Sequence, residues 1–253
     1  MYRDLNFVLT RAAAAMAIVL ITACAALEPE PDYTWLVANP ERSDADRVND
    51  QRRQPEKLLV FYGVRPGMHV LDMGATAGYN TELLARAVGK DGLVYAHNNA
   101  FMLENFVKGR LAERIKRGAF ENIIPVTREF DDPVPADLRN LDLVTFNFVY
   151  HDTTWLGTDR AKMNRAIFNA LKPGGIYIVA DHSAKPGAGD TVGKSLHRIE
   201  ESLLRKEVEA AGFKLVAAGD FLRSPEDTRD VPVQKNTVRN DEFVLKFVKP
   251  KSP

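Results

Sequence analysis

Apolar positions in this chain follow two periods. Unbroken runs of apolar and β-branched residues stand at 69–73 (HVLDM), 93–97 (LVYAH), 123–127 (IIPVT) and 141–150 (LDLVTFNFVY). A fifth follows Leu171-Lys172-Pro173-Gly174-Gly175 and ends at Asp181-His182. Runs of this length bounded by turn residues predict strands buried on both faces. Between them the spacing changes to that of a helix: in TELLARAVG, from Thr81, residues Leu83, Leu84, Ala87 and Val88 fall on one side. Helical patterns also cover 101–118, a stretch rich in Lys and Arg, the residues before Leu171, and 195–211. Near the start, one helix opens at Asp44 and a second at Pro55, a favoured first helical position. Two closing strands are expected at 213–217 and 241–248, with a polar loop over 225–240. Strands alternating with helices predict an α/β, doubly wound, mostly parallel sheet.

One junction in this pattern carries candidate chemistry. In Val70–Asn80 (VLDMGATAGYN) a strand passes into a helix through Gly74 and Gly78, with Asp72 inside the strand. Glycines there permit a sharp turn and let a ligand approach the backbone, while the free N–H groups of the new helix face that ligand. This stretch resembles the Asp-x-Gly-x-Gly-x-Gly motif of class I methyltransferases that use S-adenosylmethionine, and Leu-Lys-Pro-Gly-Gly before a strand resembles a second signature of that class. The resemblance covers about residues 55–250 and extends to a group of predicted bacterial methyltransferases with an export-type signal.

The resemblance implies a seven-stranded Rossmann-like sheet ending in an antiparallel hairpin, with S-adenosylmethionine held by Asp72, Gly74, Ala75, Thr76, Gly78 and Tyr79. It further implies that residue 98 meets the ribose, that Glu129 or Asp131 meets the adenine, and that Asn147 lies at the carboxyl end of the fourth strand, where ligands of open parallel sheets bind. Two positions depart from the pattern. Thr76 replaces the middle glycine, and Asn98 stands where an acid is usual.

Methyl transfer to a hydroxyl needs alignment, exclusion of water and removal of a proton. His151 and His182 end the fourth and fifth strands, and His197 opens the next helix with Glu200 one turn later. These three, with Asp181, are the candidate catalytic residues, oriented by Asp152, Asp181 or Glu200. His69 and His97 read as structural. Asp152 and Asp181 also resemble the acids of metal-dependent catechol-type methyltransferases, but the usual Asp-Asn pair reads Asp181-His182. Histidine is a poor magnesium ligand, so the expectation assigns no metal. Arg47, Arg52 and Arg53, on the early helices, read as a solvated face, with contact to a substrate carboxylate from this flap as the alternative.

Lys plus Arg and Asp plus Glu both number 34, which gives no basic excess for a nucleic-acid partner. The acceptor is expected to be a small molecule. Residues 1–23 combine Arg3 and Arg11 with an apolar run at 12–23, too short to span a bilayer comfortably but of signal-peptide length. Ile21-Thr22-Ala23-Cys24 resembles a bacterial lipobox, which makes Cys24 the expected lipid attachment site on the periplasmic side. Cleavage after Ala25 to give a soluble periplasmic chain is the alternative. The expected organisation is a signal at 1–23, a tether at 24–42, a helical flap at 43–66 and a methyltransferase domain at 67–253. Because the cofactor is made in the cytoplasm, an exported binding protein on this fold, without transfer activity, is the competing reading.

Overall fold

The computed structural model describes residues 31–251; the expected signal and Cys24 lie outside the described residues. Seven strands form one sheet: β1 (His69–Met73), β2 (Leu93–Asn98), β3 (Ile123–Thr127), β4 (Leu141–Asn147), β5 (Leu171–His182), β6 (Lys214–Gly219) and β7 (Glu242–Val248). Their order across the sheet is β3-β2-β1-β4-β5-β7-β6, with β7 antiparallel to both neighbours and the other pairs parallel. The chain therefore starts in the middle, winds outward to β3, returns to β4, and closes with the expected hairpin. One apolar layer fills each face. Leu71, Phe146, Tyr177 and Phe247 pack on one side, and Val70, Leu84, Leu143 and Val244 on the other. No helix among the described residues is long and apolar enough to cross a membrane.

The helices are α1 (Thr34–Val37), α2 (Asp44–Arg53), α3 (Pro55–Tyr62), α4 (Tyr79–Val88), α5 (Ala100–Met102), α6 (Arg110–Arg117), α7 (Arg160–Ala170), α8 (Gly193–Leu196) and α9 (Glu201–Ala210). Ser43 caps α2 by accepting from the Asp46 N–H. Gln54, at φ 45°, breaks the chain between α2 and α3. Within the segment expected as a tether, Tyr33 and Leu36 are buried, and the Tyr33 hydroxyl donates to the Val64 carbonyl.

Three boundaries differ from the expected ones. The helix predicted over 101–118 is interrupted by a π-helical turn at Leu103–Val107 and by Lys108 and Gly109, both left-handed. Leu171 already pairs with Leu141, so the Lys-Pro-Gly-Gly segment is a bulge inside β5 rather than a turn before it. The helix predicted over 195–211 is two helices, because His197 takes φ 55° and Ile199 pairs in parallel with Ser183. His197 therefore closes α8 rather than opening α9. Glu200 turns away from it, its carboxylate accepting the backbone N–H groups of Gly187 and Gly189.

Candidate active site

At the carboxyl ends of β1 and β4 lies a cleft of about 410 Å³ of empty space, part of it open to solvent, lined by Arg53, Tyr62, Asp72, Gly74, Ala75, Thr76, Tyr79 and Asn147 among others. Asp72 is its floor. One carboxylate oxygen accepts from Asn80 Nδ2 and Thr145 Oγ1, each at 2.8 Å, and the other from Thr81 Oγ1 at 2.6 Å. Burial raises the Asp72 pKa against the pull of these three bonds. The acid thus ties the strand to the first turn of α4.

The two motif glycines serve the protein's own packing more than ligand clearance. A Cβ at Gly74 would meet Val149 at 3.0 Å and Phe146 at 3.1 Å, and one at Gly78 would meet Leu111 at 2.7 Å. Both residues also have positive φ.

The two departures from the motif form one unit. Thr76 sits at φ 51°, a conformation that costs a non-glycine residue about 1–2 kcal/mol. Asn98, fully buried, grips its peptide from both ends: Thr76 N donates to Asn98 Oδ1 at 2.9 Å, and Asn98 Nδ2 donates to the Thr76 carbonyl at 3.2 Å. Asn98, expected at the ribose, thus engages the Thr76 backbone through one N–H and one lone pair of its amide. The adenine contact expected of Glu129 finds no support in the geometry: that residue is exposed, stands outside the cavity and accepts from Asn99 at 3.4 Å.

Five wall residues, Arg53, Leu58, Tyr62, Asn147 and Phe148, come from outside the motif. The Arg53 guanidinium lies over the Phe148 ring, 3.4 Å from its centroid, and burial with the neighbouring Arg52 charge lowers its pKa to about 10. Its Nη1 is buried and has no hydrogen-bond partner among the described residues. Asn147 donates to the Tyr62 hydroxyl at 2.8 Å, which leaves its buried Oδ1 equally without a partner. A bare cation and a bare acceptor in one cavity match the carboxylate and ammonium of an amino acid, so these residues fit the methionine end of S-adenosylmethionine. Arg53 is not the solvated charge that its helix suggested. Phe148 itself has φ 61°, strained for an aromatic residue, and strain of this kind gathers at functional sites.

Beyond Phe148 lie the histidines. The ring centroids of Phe148 and His182 are 5.2 Å apart, those of His182 and His151 are 5.8 Å apart, and those of His151 and His197 are 5.4 Å apart. His151 Nδ1 stands 2.7 Å from Asp181 Oδ1, and its backbone N–H donates to the other oxygen of the same carboxylate at 2.8 Å. Burial disfavours the charged form of His151, but the Asp181 carboxylate, helped by Asp152, wins and raises its pKa. The same pairing overcomes burial to lower that of Asp181. His182 differs, because burial outweighs the pull of Glu242, 3.0 Å from its Nδ1, and its pKa falls. Burial, reinforced by Asp181, raises Asp152. Asp181, the expected orienting acid, thus serves His151, while Glu200 serves neither histidine at this end of the sheet. Asp181, one of the two acids at the catechol-type positions, has both carboxylate oxygens engaged with His151.

No protein-family model matches the chain. It is 33% identical over 123 residues, 48% of this chain and 44% of the relative, to the ubiquinone/menaquinone biosynthesis C-methyltransferase UbiE of Vibrio vulnificus. It thus spans less than half the length of the first curated relatives it matches. Among solved structures it is similar to a SAM-dependent methyltransferase from Aquifex aeolicus, with 19% identity and a TM-score of 0.58 over 82% of this chain and 99% of that one. A SAM-dependent O-methyltransferase from Thermotoga maritima aligns at 16% identity and a TM-score of 0.52, over 82% and 71% of the two chains. Sheet order, motif placement and these likenesses agree: the chain has the class I S-adenosylmethionine-dependent methyltransferase fold and is related in sequence to the UbiE C-methyltransferases.

Proposed function

We propose that the protein transfers the methyl group of S-adenosylmethionine to a small-molecule acceptor, at oxygen. The observation that carries this reading is the cavity at the carboxyl ends of β1 and β4, with Arg53 Nη1 and Asn147 Oδ1 unpaired in its wall and a histidine–carboxylate pair two rings away. Arg53 would receive the cofactor's carboxylate and Asn147 its ammonium. The cofactor supplies an electrophilic methyl carbon when bound. His151, oriented by Asp181 and with Nε2 turned toward His197, is the group placed to accept a hydroxyl proton. His182 lies between this pair and Phe148 and would line the acceptor's path.

Calorimetric titration with S-adenosylhomocysteine tests the reading. The folded chain is expected to bind it, and Arg53→Gln to weaken binding about 10- to 100-fold, the value of a charge-assisted hydrogen bond. Methylthioadenosine, which lacks the amino-acid end, is expected to bind both proteins equally. Absence of binding to the folded wild type would overturn the proposal. Substitution of Gly74 is a poor control, because its Cβ would strike Val149 and Phe146 and disturb the sheet itself.

The segment before the described residues belongs to the same proposal. The apolar run and Ile21-Thr22-Ala23-Cys24 favour export and a lipid-modified Cys24, and intact-mass measurement of the mature chain tests this. A mature chain that retains residues 1–23 would refute it.

A further inference from the structure

The histidine cluster contains a geometry that proton transfer does not require. His151 Nε2 lies 3.3 Å from His197 Nδ1 and 3.3 Å from Asp152 Oδ1, and the last two atoms are 3.6 Å apart. Because His151 Nδ1 faces the Asp181 carboxylate it carries the ring proton, so Nε2 of the neutral ring offers a lone pair. Three potential donor atoms therefore lie within 3.6 Å of one another, close enough for one cation to reach all three. A circle through them has a radius of about 2 Å, the length of a zinc–imidazole or zinc–carboxylate bond. Tetrahedral donors at that bond length stand about 3.4 Å apart, whereas facial octahedral donors stand about 3.0 Å apart. The observed spacings of 3.3, 3.3 and 3.6 Å lie nearer the tetrahedral value.

We infer that His151, Asp152 and His197 bind a divalent transition-metal ion of zinc type, with the fourth position open. Two further features are those of a built site. Asp181 holds His151 by its remote nitrogen, and the Trp155 indole N–H donates to Asp152 Oδ1 at 3.1 Å; partners of this kind orient metal ligands. His197, a third exposed, is aimed inward by a left-handed backbone that its side chain disfavours. Two nitrogens and one oxygen select zinc-like ions over magnesium, which prefers oxygen. Binding itself does not depend on methyl transfer. Its use, which rests on the function proposed above, would be to hold the acceptor's oxygen in the open position and stabilise the oxyanion left when its proton passes to solvent, His151 Nε2 serving in the metal-loaded protein as a ligand rather than as the base.

The experiment is zinc titration of the chelator-stripped protein by calorimetry, with metal analysis after dialysis and the visible spectrum of the cobalt-loaded form. One ion per chain and a tetrahedral cobalt spectrum are expected. Asp152→Asn and His197→Ala should each weaken binding at least about 100-fold, and Asp181→Asn about 10- to 100-fold, as for an outer-shell partner. His182→Gln should bind as the wild type does, which separates ligation from general damage to the cluster. Circular dichroism establishes that each variant is folded. Failure of the folded wild type to retain one ion, or retention that survives both ligand substitutions, would overturn the inference. Neither outcome depends on whether S-adenosylhomocysteine binds.

Discussion

Replacing Arg114 by methionine is expected to destabilise the protein by about 3–5 kcal/mol, the cost of stranding buried charges. Arg114, on α6, is nearly buried and donates to Asp46 of α2 through both Nη atoms, at 2.6 and 2.9 Å. It also donates to Glu82 of α4 at 2.6 Å and, through Nε, to the Ala77 carbonyl at 2.7 Å. One side chain thus joins the early helices, the helix after the motif and the motif loop itself. Urea unfolding measures the loss, and Arg114→Lys should recover less than half of it, since an ammonium lacks the planar fork. Because most of the cost comes from carboxylates left behind, adding Asp46→Asn and Glu82→Gln to Arg114→Met should restore part of the stability. A single-variant loss below about 1 kcal/mol would show that solvent reaches these carboxylates. Hydrogen exchange should also locate the increased opening at residues 76–79, which would link this network directly to the cofactor wall.

The second large effect depends on pH. His97 is fully buried against Phe130, and its Nε2 stands 2.9 Å from the Arg128 carbonyl, so Nε2 carries the proton and donates it. Nδ1 has no hydrogen-bond partner among the described residues, and a second proton would create a buried donor with nothing to meet it. Burial accordingly lowers the His97 pKa to about 4. Since the folded value lies below the unfolded one, the contribution is complete above about pH 6.5 and is lost as pH falls toward 4. Across that window it amounts to about 3 kcal/mol. Comparing unfolding free energies of the wild type and His97→Gln at several pH values isolates it from the carboxylates. The wild-type curve should fall more steeply between pH 6.5 and 4, and parallel curves would refute the assignment.

Much of the fold was readable because its determinants are local. The run at His69–Met73, the glycines after it and the helical spacing from Tyr79 are neighbours in the chain, so strand, turn and helix follow from one stretch. Asp72, Ala75, Thr76, Tyr79 and Asn147, which the resemblance assigns to the cofactor, line one cavity. What escaped the reading depends on contacts across the sheet. Arg53 looks like any solvated helix charge until β4 brings Phe148 beneath it. The periodicity of 195–211 is helical throughout, and only the pairing of Ile199 with Ser183 on β5 breaks it and turns His197 toward His151. The pairing of the Asn98 amide with the Thr76 backbone escaped the reading because nothing nearby in sequence shows that the two residues meet.

That last pair bears on the order in which such a site can change. Asn98 bonds the backbone of residue 76, not its side chain, so glycine at 76 tolerates the amide as readily as threonine does. The reverse does not hold. An aspartate at 98 would set a carboxylate against the Thr76 carbonyl and remove the donor that holds a left-handed threonine in place. Consider an ancestor with glycine at position 76 and aspartate at position 98, and the two single-step routes from it to the present Thr76 and Asn98. The route that changes position 98 first adds the brace before the strained residue arrives. The route that changes position 76 first passes a left-handed threonine with no amide to hold it, so of the two orders the first is the less strained.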